Sequence, residues 1–515
     1  MPFLSAGTSD RKSKSRRITS TMEEENKRPP FLFLVFYIVS VLAWQGSKAE
    51  STTAQVIQRG FSVTNDPGYA QFQPLLSDPT GVFSLGFLRI NSTLLDLAVL
   101  HLPSSLPLWR AVPAKPALWS KSTSLSFNGS LVLSDPKTGV FWSSKSDGGD
   151  RLVLLNSSNL QIQKLDRPNT VLWQSFDFPS DTIVQDQNFT SMASLFSSNQ
   201  QFSMRLGENY LALYMVFNNG KMTTTSIYWK HTALEAKAEI VPGDGPIYAR
   251  VESAGFLGMY QSDGAPADVL SFDTFNRNIS RFRRLTLESD GNLRAYYWND
   301  SSWVLEYKAI SESCDLPTTC GAYELCGTGE PQCTCLANGT EGCLPPDFGD
   351  LCGVAEDGFW VLRRKGVDLA NKDLLGYQKV ASLEDCEASC ERNCSCWGAV
   401  YSNATGSGYC YLMDYPIEML VEGDERKVGY FKVRRVSDNG RDKRAAEKGT
   451  ILALLVVGCA IFFSAAAYGA YRVWNRKRRR SGVDGSMIEG LAPLPYKDLS
   501  SASFKSIELS NSFRK

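Results

Sequence analysis

Between residue 51 and about residue 310 the chain alternates short apolar runs with turn formers. GVFSLGF (81–87), GSLVLSD (129–135), RLVLLN (151–156), VLWQSF (171–176) and GNLRAYYW (291–298) are of strand length and rich in β-branched and aromatic residues. Gly, Pro, Asn and Asp punctuate them, as expected where extended chain must reverse direction. No stretch of comparable length carries a helical period, so pattern alone predicts a mainly β region.

Two longer apolar runs break this rhythm. Phe31 to Trp44 reads FLFLVFYIVSVLAW, follows Lys27 and Arg28, and is followed by the small residues Ser47 and Ala49. Charged region, apolar region and small-residue cleavage site together predict a secretory signal within 1–49. Translation from Met22 would give a leader of more ordinary length. The second run, Gly449 to Tyr471, has 23 residues without a charge. At ~1.5 Å per residue such a helix reaches about 34 Å, enough for a hydrocarbon core of about 30 Å. Arg472, Arg476, Lys477, Arg478, Arg479 and Arg480 follow it. A basic cluster of this kind stays cytoplasmic and faces anionic lipid. The expected topology is a single-pass type I protein of the plasma membrane, with residues 50–448 outside and a cytoplasmic tail over 472–515.

The acceptor sequence N-x-S/T occurs at Asn91, Asn128, Asn156, Asn188, Asn278, Asn299, Asn338, Asn393 and Asn403, all between the two apolar runs. That distribution agrees with a lumenal placement of the intervening chain and predicts N-glycosylation there.

At 515 residues the chain is long enough for about three or four domains. Lys+Arg and Asp+Glu both total 54, and this neutrality argues against a general nucleic-acid binder. Of 13 cysteines, twelve lie between Cys314 and Cys410, and Cys459 stands apart in the second apolar run, where it reads as packing. A dense, even set points to disulfides formed in an oxidising compartment. Zinc is the rival reading, but the close pairs Cys333/Cys335 and Cys394/Cys396 are C-x-C and no histidine is near. Spacing alone leaves the connectivity open.

The stretches GVFSLGF, GSLVLSDPKTGVFWSS, VLWQSFDFPSDT and RRLTLESDGNLRAYYW resemble the plant S-domain, a bulb-type mannose-lectin module followed by an S-locus glycoprotein module. C-D-x4-C-G-x4-C at Cys314, Cys320 and Cys326 is similar to that family's EGF-like unit, completed by Cys333, Cys335 and Cys343. SLEDCEASCERNCSCWGAVYSNATGSGYCYL (382–412) is similar to its PAN/apple module. The resemblance covers most of residues 55–435 and is nearest to kinase-lacking, PAN-containing S-domain membrane proteins. It implies a bulb-type lectin-like domain over 55–176, a second lectin-like domain over 177–310, an EGF-like unit over 312–345 and a PAN/apple domain over 352–435. The implied fold is tandem β-prisms, a disulfide knot, and one helix on a small sheet. The implied pairing is Cys314–Cys326, Cys320–Cys333 and Cys335–Cys343 in the EGF-like unit, and Cys386–Cys410 and Cys390–Cys396 in the apple module. Cys352 and Cys394 are then left and are expected to pair. Each bridge contributes about 2–4 kcal/mol in units too small for an adequate core.

The family's mannose site has the form Q-x-D-x-N-x-V-x-Y. In the first module the matching positions are Ser126, Asn128, Ser130, Val132 and Ser134, of which only Val132 fits, and Asn128 is itself a glycan acceptor. The nearest remnant is Glu288, Asp290, Asn292, Arg294 and Tyr296, a degenerate sugar site; D-G-N is also an ordinary hairpin turn, and the turn reading is preferred. The scaffold therefore does not transfer mannose recognition by itself.

Enzyme readings find little. Asp177 and Asp181 could be paired acids for glycoside hydrolysis, but they flank Pro179 and Ser180 and read as turn caps. His101 and His231 are the only histidines and no nucleophile signature accompanies them. Trp173 and Phe176 read as core. No cofactor or metal is expected. The 44 residues of 472–515 carry no G-x-G-x-x-G or H-R-D stretch and cannot house a kinase, although LPYKDLSSASFKSIELSNSFRK resembles the approach to one. The expected function is a non-enzymatic receptor-like glycoprotein that binds a carbohydrate or protein ligand and signals through a partner, a receptor kinase being the natural one. Small residues such as Ala466 and Ala470 on one helix face suit homo- or hetero-dimer packing in the membrane. The alternative is a structural or trafficking glycoprotein associated with the cell wall.

Overall fold

The computed structural model describes residues 53–434, with interruptions at 167–169, 219–222, 234–247, 262–263, 276, 278, 280, 328–331, 338–342, 344–350, 353–357 and 404–405, together with 458–459 and 462–476. The chain divides into two compact units, Met1–Arg434 and Arg435–Lys515. The expected signal region, most of the tail, and the acceptors Asn278 and Asn338 lie outside the described residues.

Three antiparallel sheets build the first domain. One runs through Phe72–Ser77, Phe83–Arg89, Leu94–His101 and Leu106–Arg110. A second orders Gly139–Ser143, Leu131–Asp135, Ser124–Phe127 and Phe61–Thr64, and a third orders Val56–Gln58, Arg151–Leu154, Leu160–Lys164 and Thr170–Gln174. The strands follow the period-two pattern: Leu125, Phe127, Leu131, Leu133, Leu152, Leu154, Leu160 and Ile162 are buried, and their neighbours point outward. All three sheets feed one core, where each fully buried Leu or Phe side chain contributes about 1.5–3 kcal/mol. Trp109, Trp142 and Trp173 come one from each sheet and meet edge to face, with ring centroids 5.7–5.9 Å apart. The domain is a three-sided prism closed around that triad.

The arrangement repeats in the second domain. Its sheets are Thr182–Val184 with Arg283–Leu287, Leu293–Trp298 and Trp303–Lys308; Asn188–Thr190 with Tyr248–Glu252, Phe256–Tyr260 and Asp268–Ser271; and Ser194–Phe196 with Phe202–Leu206, Tyr210–Asn218 and Thr223–Thr232.

A disulfide unit follows, with Cys314–Cys326, Cys320–Cys333 and Cys335–Cys343 bonded. Its strand Glu324–Cys326 pairs in parallel with Leu420–Glu422, which ties the unit to the last domain. That domain has a five-stranded sheet, Phe359–Lys365, Lys427–Arg434, Gly398–Ser402, Gly408–Met413 and Gln378–Val380, and, among the described residues, one helix, Leu383–Glu391. Ser382 caps the helix by accepting from the Asp385 amide, with Glu384 and Asp385 in the first turn. Cys386–Cys410 and Cys390–Cys396 fasten its buried face, and Cys352–Cys394 closes the entry loop. At the other end the buried Lys432 ammonium donates to the carbonyls of Cys390 (2.9 Å) and Asn393 (3.0 Å), satisfying groups that a helix terminus leaves open.

The second prism and the last domain share one core, which runs from Ile183 to Val433 and includes Phe217 stacked on Tyr415 at 5.9 Å. In the second unit, 458–459 and 462–476 are helical and exposed, as is the free Cys459. Among the described residues no helix is long and apolar enough to cross a membrane. The remainder of the span expected over 449–471 lies outside them.

Candidate functional site

The outward faces of the prisms are the surfaces a ligand could use. On the first prism's second sheet, Ser126, Ser130, Val132 and Ser134 are half-buried and Asn128 is exposed at the hairpin. Ser130 hydrogen-bonds the hydroxyls of Ser143 (3.2 Å) and Ser144 (3.1 Å), so this face carries short hydroxyls rather than amides and carboxylates.

The second candidate is the hairpin joining Arg283–Leu287 to Leu293–Trp298. Its groups come together but are spent on one another. Arg294 forms a bidentate pair with Asp290 at 2.6 and 3.0 Å, and the Asn292 amide N–H donates to the same carboxylate at 2.9 Å. Burial raises the Asp290 pKa, but these bonds outweigh it and hold the carboxyl below its usual range. The Tyr296 hydroxyl donates to Glu288 at 2.8 Å; burial first, then that carboxylate, push the phenol up to about 12. Asn292 is buried, donating to the Ile310 carbonyl at 2.8 Å and accepting from its amide at 3.1 Å. Gly291 takes φ +85°, the left-handed conformation this turn demands. This geometry is that of a pinned hairpin.

A richer polar surface lies on the third sheet of the first prism. Arg151 donates to Gln163 (2.9 Å), Gln163 to Gln161 (2.8 Å), Gln161 to Gln174 (3.2 Å), and Gln174 to Asp177 (2.9 Å), while Asn159 also donates to Gln174 (2.9 Å). The mannose pattern does not select these residues. The available signal was the alternation L-Q-I-Q, which puts Gln161 and Gln163 on one outward face. The ladder ends beside Phe178, an exposed ring stacked on Trp173 at 5.9 Å.

The enzyme candidates are accounted for by local bonds. Asp181 accepts from the Ser180 and Thr182 hydroxyls, and Asp177 ends the amide ladder. Trp173 belongs to the core triad, with Phe176 packed against it. His101 is buried between the prisms against Trp298 and Trp303, and His231 meets Asp268 at 2.6 Å. Among the described residues the one cluster with metal-ligand atoms in reach is Cys320, Glu324 and Cys333, but the two cysteines are bonded to each other and offer no thiolate. The acceptor asparagines Asn91, Asn128, Asn156, Asn188, Asn299, Asn393 and Asn403 are all exposed.

Comparison with known proteins places these surfaces in a family. Residues 108–205 match the D-mannose binding lectin family, 257–341 the S-locus glycoprotein domain, and 352–414 the PAN-like domain. A PAN domain-containing protein of Arabidopsis thaliana is 43% identical over 489 residues, covering 93% of this chain and 97% of that one. A G-type lectin S-receptor-like serine/threonine-protein kinase of the same plant is 25% identical, over 83% of this chain and 54% of its own length. Among solved structures, the two-domain fetuin-binding lectin of Scilla campanulata matches 49% of this chain and 95% of its own at 14% identity, with a TM-score of 0.18, too low to carry an argument. Three domain matches in the order lectin, S-locus glycoprotein and PAN, together with identity along nearly the whole of a PAN domain-containing relative, make this chain a member of the plant S-domain family.

Proposed function

We propose that the chain is a non-enzymatic, single-pass cell-surface glycoprotein of receptor-like type. The two prisms, the EGF-like disulfide unit and the PAN domain stand outside the cell and present a surface to a carbohydrate or protein ligand. Signalling passes through a partner membrane protein, a receptor kinase being the natural class. The uncharged run Gly449 to Tyr471, with its basic border, supports the membrane placement. The observation that carries the reading is the shared core between the second prism and the PAN domain. It couples a lectin-like scaffold to the domain nearest the expected membrane span, which suits transmission of ligand occupancy better than a loose string of modules.

The full chain in lipid nanodiscs, applied to a glycan array and crosslinked on plant cells, tests this. Saturable glycan or protein binding together with capture of a receptor kinase is expected. Retention on wall polysaccharide without any kinase partner would favour the structural or trafficking alternative. Turnover of a glycoside would overturn the non-enzymatic reading. Protease applied to intact cells should remove residues 50–448; a protected, unglycosylated N-terminal region would overturn the topology.

A further inference from the structure

A groove of about 830 Å3 lies between the end of the amide ladder and the strand Asn188–Thr190 of the second prism. Its first-prism wall holds Asn159, Gln174, Asp177 and Phe178. Phe178 is fixed: one face lies on Trp173 with the planes 8° apart, and its main-chain carbonyl accepts from the Trp109 indole at 2.8 Å. Phe178 is nevertheless 57% exposed. Across the groove Met192 is 94% exposed. A fixed aromatic face beside an amide and a carboxylate with unused hydrogen-bond capacity is chemistry suited to a sugar. The apolar face of a pyranose covers the ring while its hydroxyls meet the polar groups.

The sugar with the shortest route is one this chain carries itself. Asn188-Phe189-Thr190 is a glycan acceptor sequence, and Asn188 projects exposed from the groove wall. Among the described residues its strand is an edge strand, paired with Tyr248–Glu252, and the short helical turn Ser175–Asp177 packs against it. Exposed apolar side chains such as Met192 are features that natural proteins shield.

We propose that the N-linked glycan of Asn188 folds back into this groove, its proximal sugars lying on the open face of Phe178 and hydrogen-bonded to Gln174 and Asp177. The glycan bridges the two prisms, shields Met192, and closes the groove to outside ligands. The proposal rests on the reading that residues 50–448 are lumenal.

The full chain, made in cells that leave its glycans as high-mannose chains and purified in detergent, is treated natively with an endoglycosidase, and release is followed at each site by peptide mass. Release at Asn188 is expected to be at least about tenfold slower than at the exposed Asn91, because only the undocked glycan is cut. Phe178→Ala should bring the two rates together. Thr190→Ala removes the acceptor sequence at an exposed position and should raise hydroxyl-radical oxidation of Met192, a readout that does not depend on the Phe178 variant folding. Equal release rates in the unmodified chain, or unchanged Met192 oxidation in Thr190→Ala, would overturn the docking. An Asn188 without glycan while Asn91 and Asn299 carry one overturns the docking alone. A chain without glycan at any acceptor overturns the docking and the lumenal placement together.

Discussion

The indole N–H of Trp303 donates to the Ser104 hydroxyl at 2.9 Å, and this bond crosses from the second prism to the first. The same Ser104 hydroxyl bonds His101 Nδ1 at 2.8 Å, and His101 is packed against Phe83, Trp298 and Trp303. Arg284 lies over the Trp303 and Tyr296 rings, at 5.0 and 4.0 Å from their centroids. The joint between the prisms is thus an aromatic cluster with one short polar chain through it.

Trp303→Phe removes the bond and keeps most of the packing, so a loss of about 1 kcal/mol is expected. Trp303→Ala should cost about 3 kcal/mol or more and separate the thermal transitions of the two prisms in calorimetry. Melting curves of both variants identical to that of the unmodified chain would show that the joint contributes nothing.

Burial among these rings pushes the His101 pKa down to about 4, from the ordinary histidine value of 6.5. Between those values the unfolded chain takes up a proton that the folded joint refuses. Stability is therefore full above 6.5 and declines as the pH falls toward 4. Denaturant titrations at the two ends should show the loss, and His101→Gln should abolish most of the difference.

Glu418 behaves in the opposite sense. Burial lifts its carboxyl from 4.5 to about 7, so the folded state holds a proton that the unfolded chain has released. Its contribution is full below 4.5 and is lost as the pH rises through 7. Glu418→Gln should raise the melting temperature in mildly alkaline buffer and leave it unchanged in acid. A variant that stabilises equally at both ends would rule out titration of Glu418 as the cause.

Asn292→Ala leaves the Ile310 amide and carbonyl unpaired, and a loss of about 2–3 kcal/mol is expected. Any mannose affinity of the chain, measured by calorimetry, should stay as it was. Loss of sugar binding without loss of stability would restore the hairpin as a sugar site.

Nonreducing peptide mapping should find six bridges confined to 314–343 and 352–410. Removing Cys386–Cys410, which closes a 24-residue separation, should cost about 3 kcal/mol and release the helix Leu383–Glu391 in hydrogen exchange. Bridges running mainly between the two groups would mean that the domains are wrongly drawn.

Strand character was legible in the sequence because it is local. The alternation in GSLVLSD and RLVLLN needs only neighbouring side chains to choose between water and a core, and the D-G-N turn needs only a residue free to take positive φ. The lectin, S-locus glycoprotein and PAN resemblance was likewise carried by short contiguous stretches such as VLWQSFDFPSDT. The tertiary structure decided which of those strands face each other. Gln161 and Gln163 are both outward by period, but they join Gln174 and Asp177 only because a register shift between Ile162 and Gln163 sets the pairing with the next strand. Trp109, Trp142 and Trp173 meet only when three sheets close, and Ser104 meets Trp303 across 199 residues. Propensity and polarity act over a few neighbouring residues, whereas register, closure and burial are set by packing between segments far apart in the chain, and the faces a ligand or a glycan would touch are made by the second kind of force.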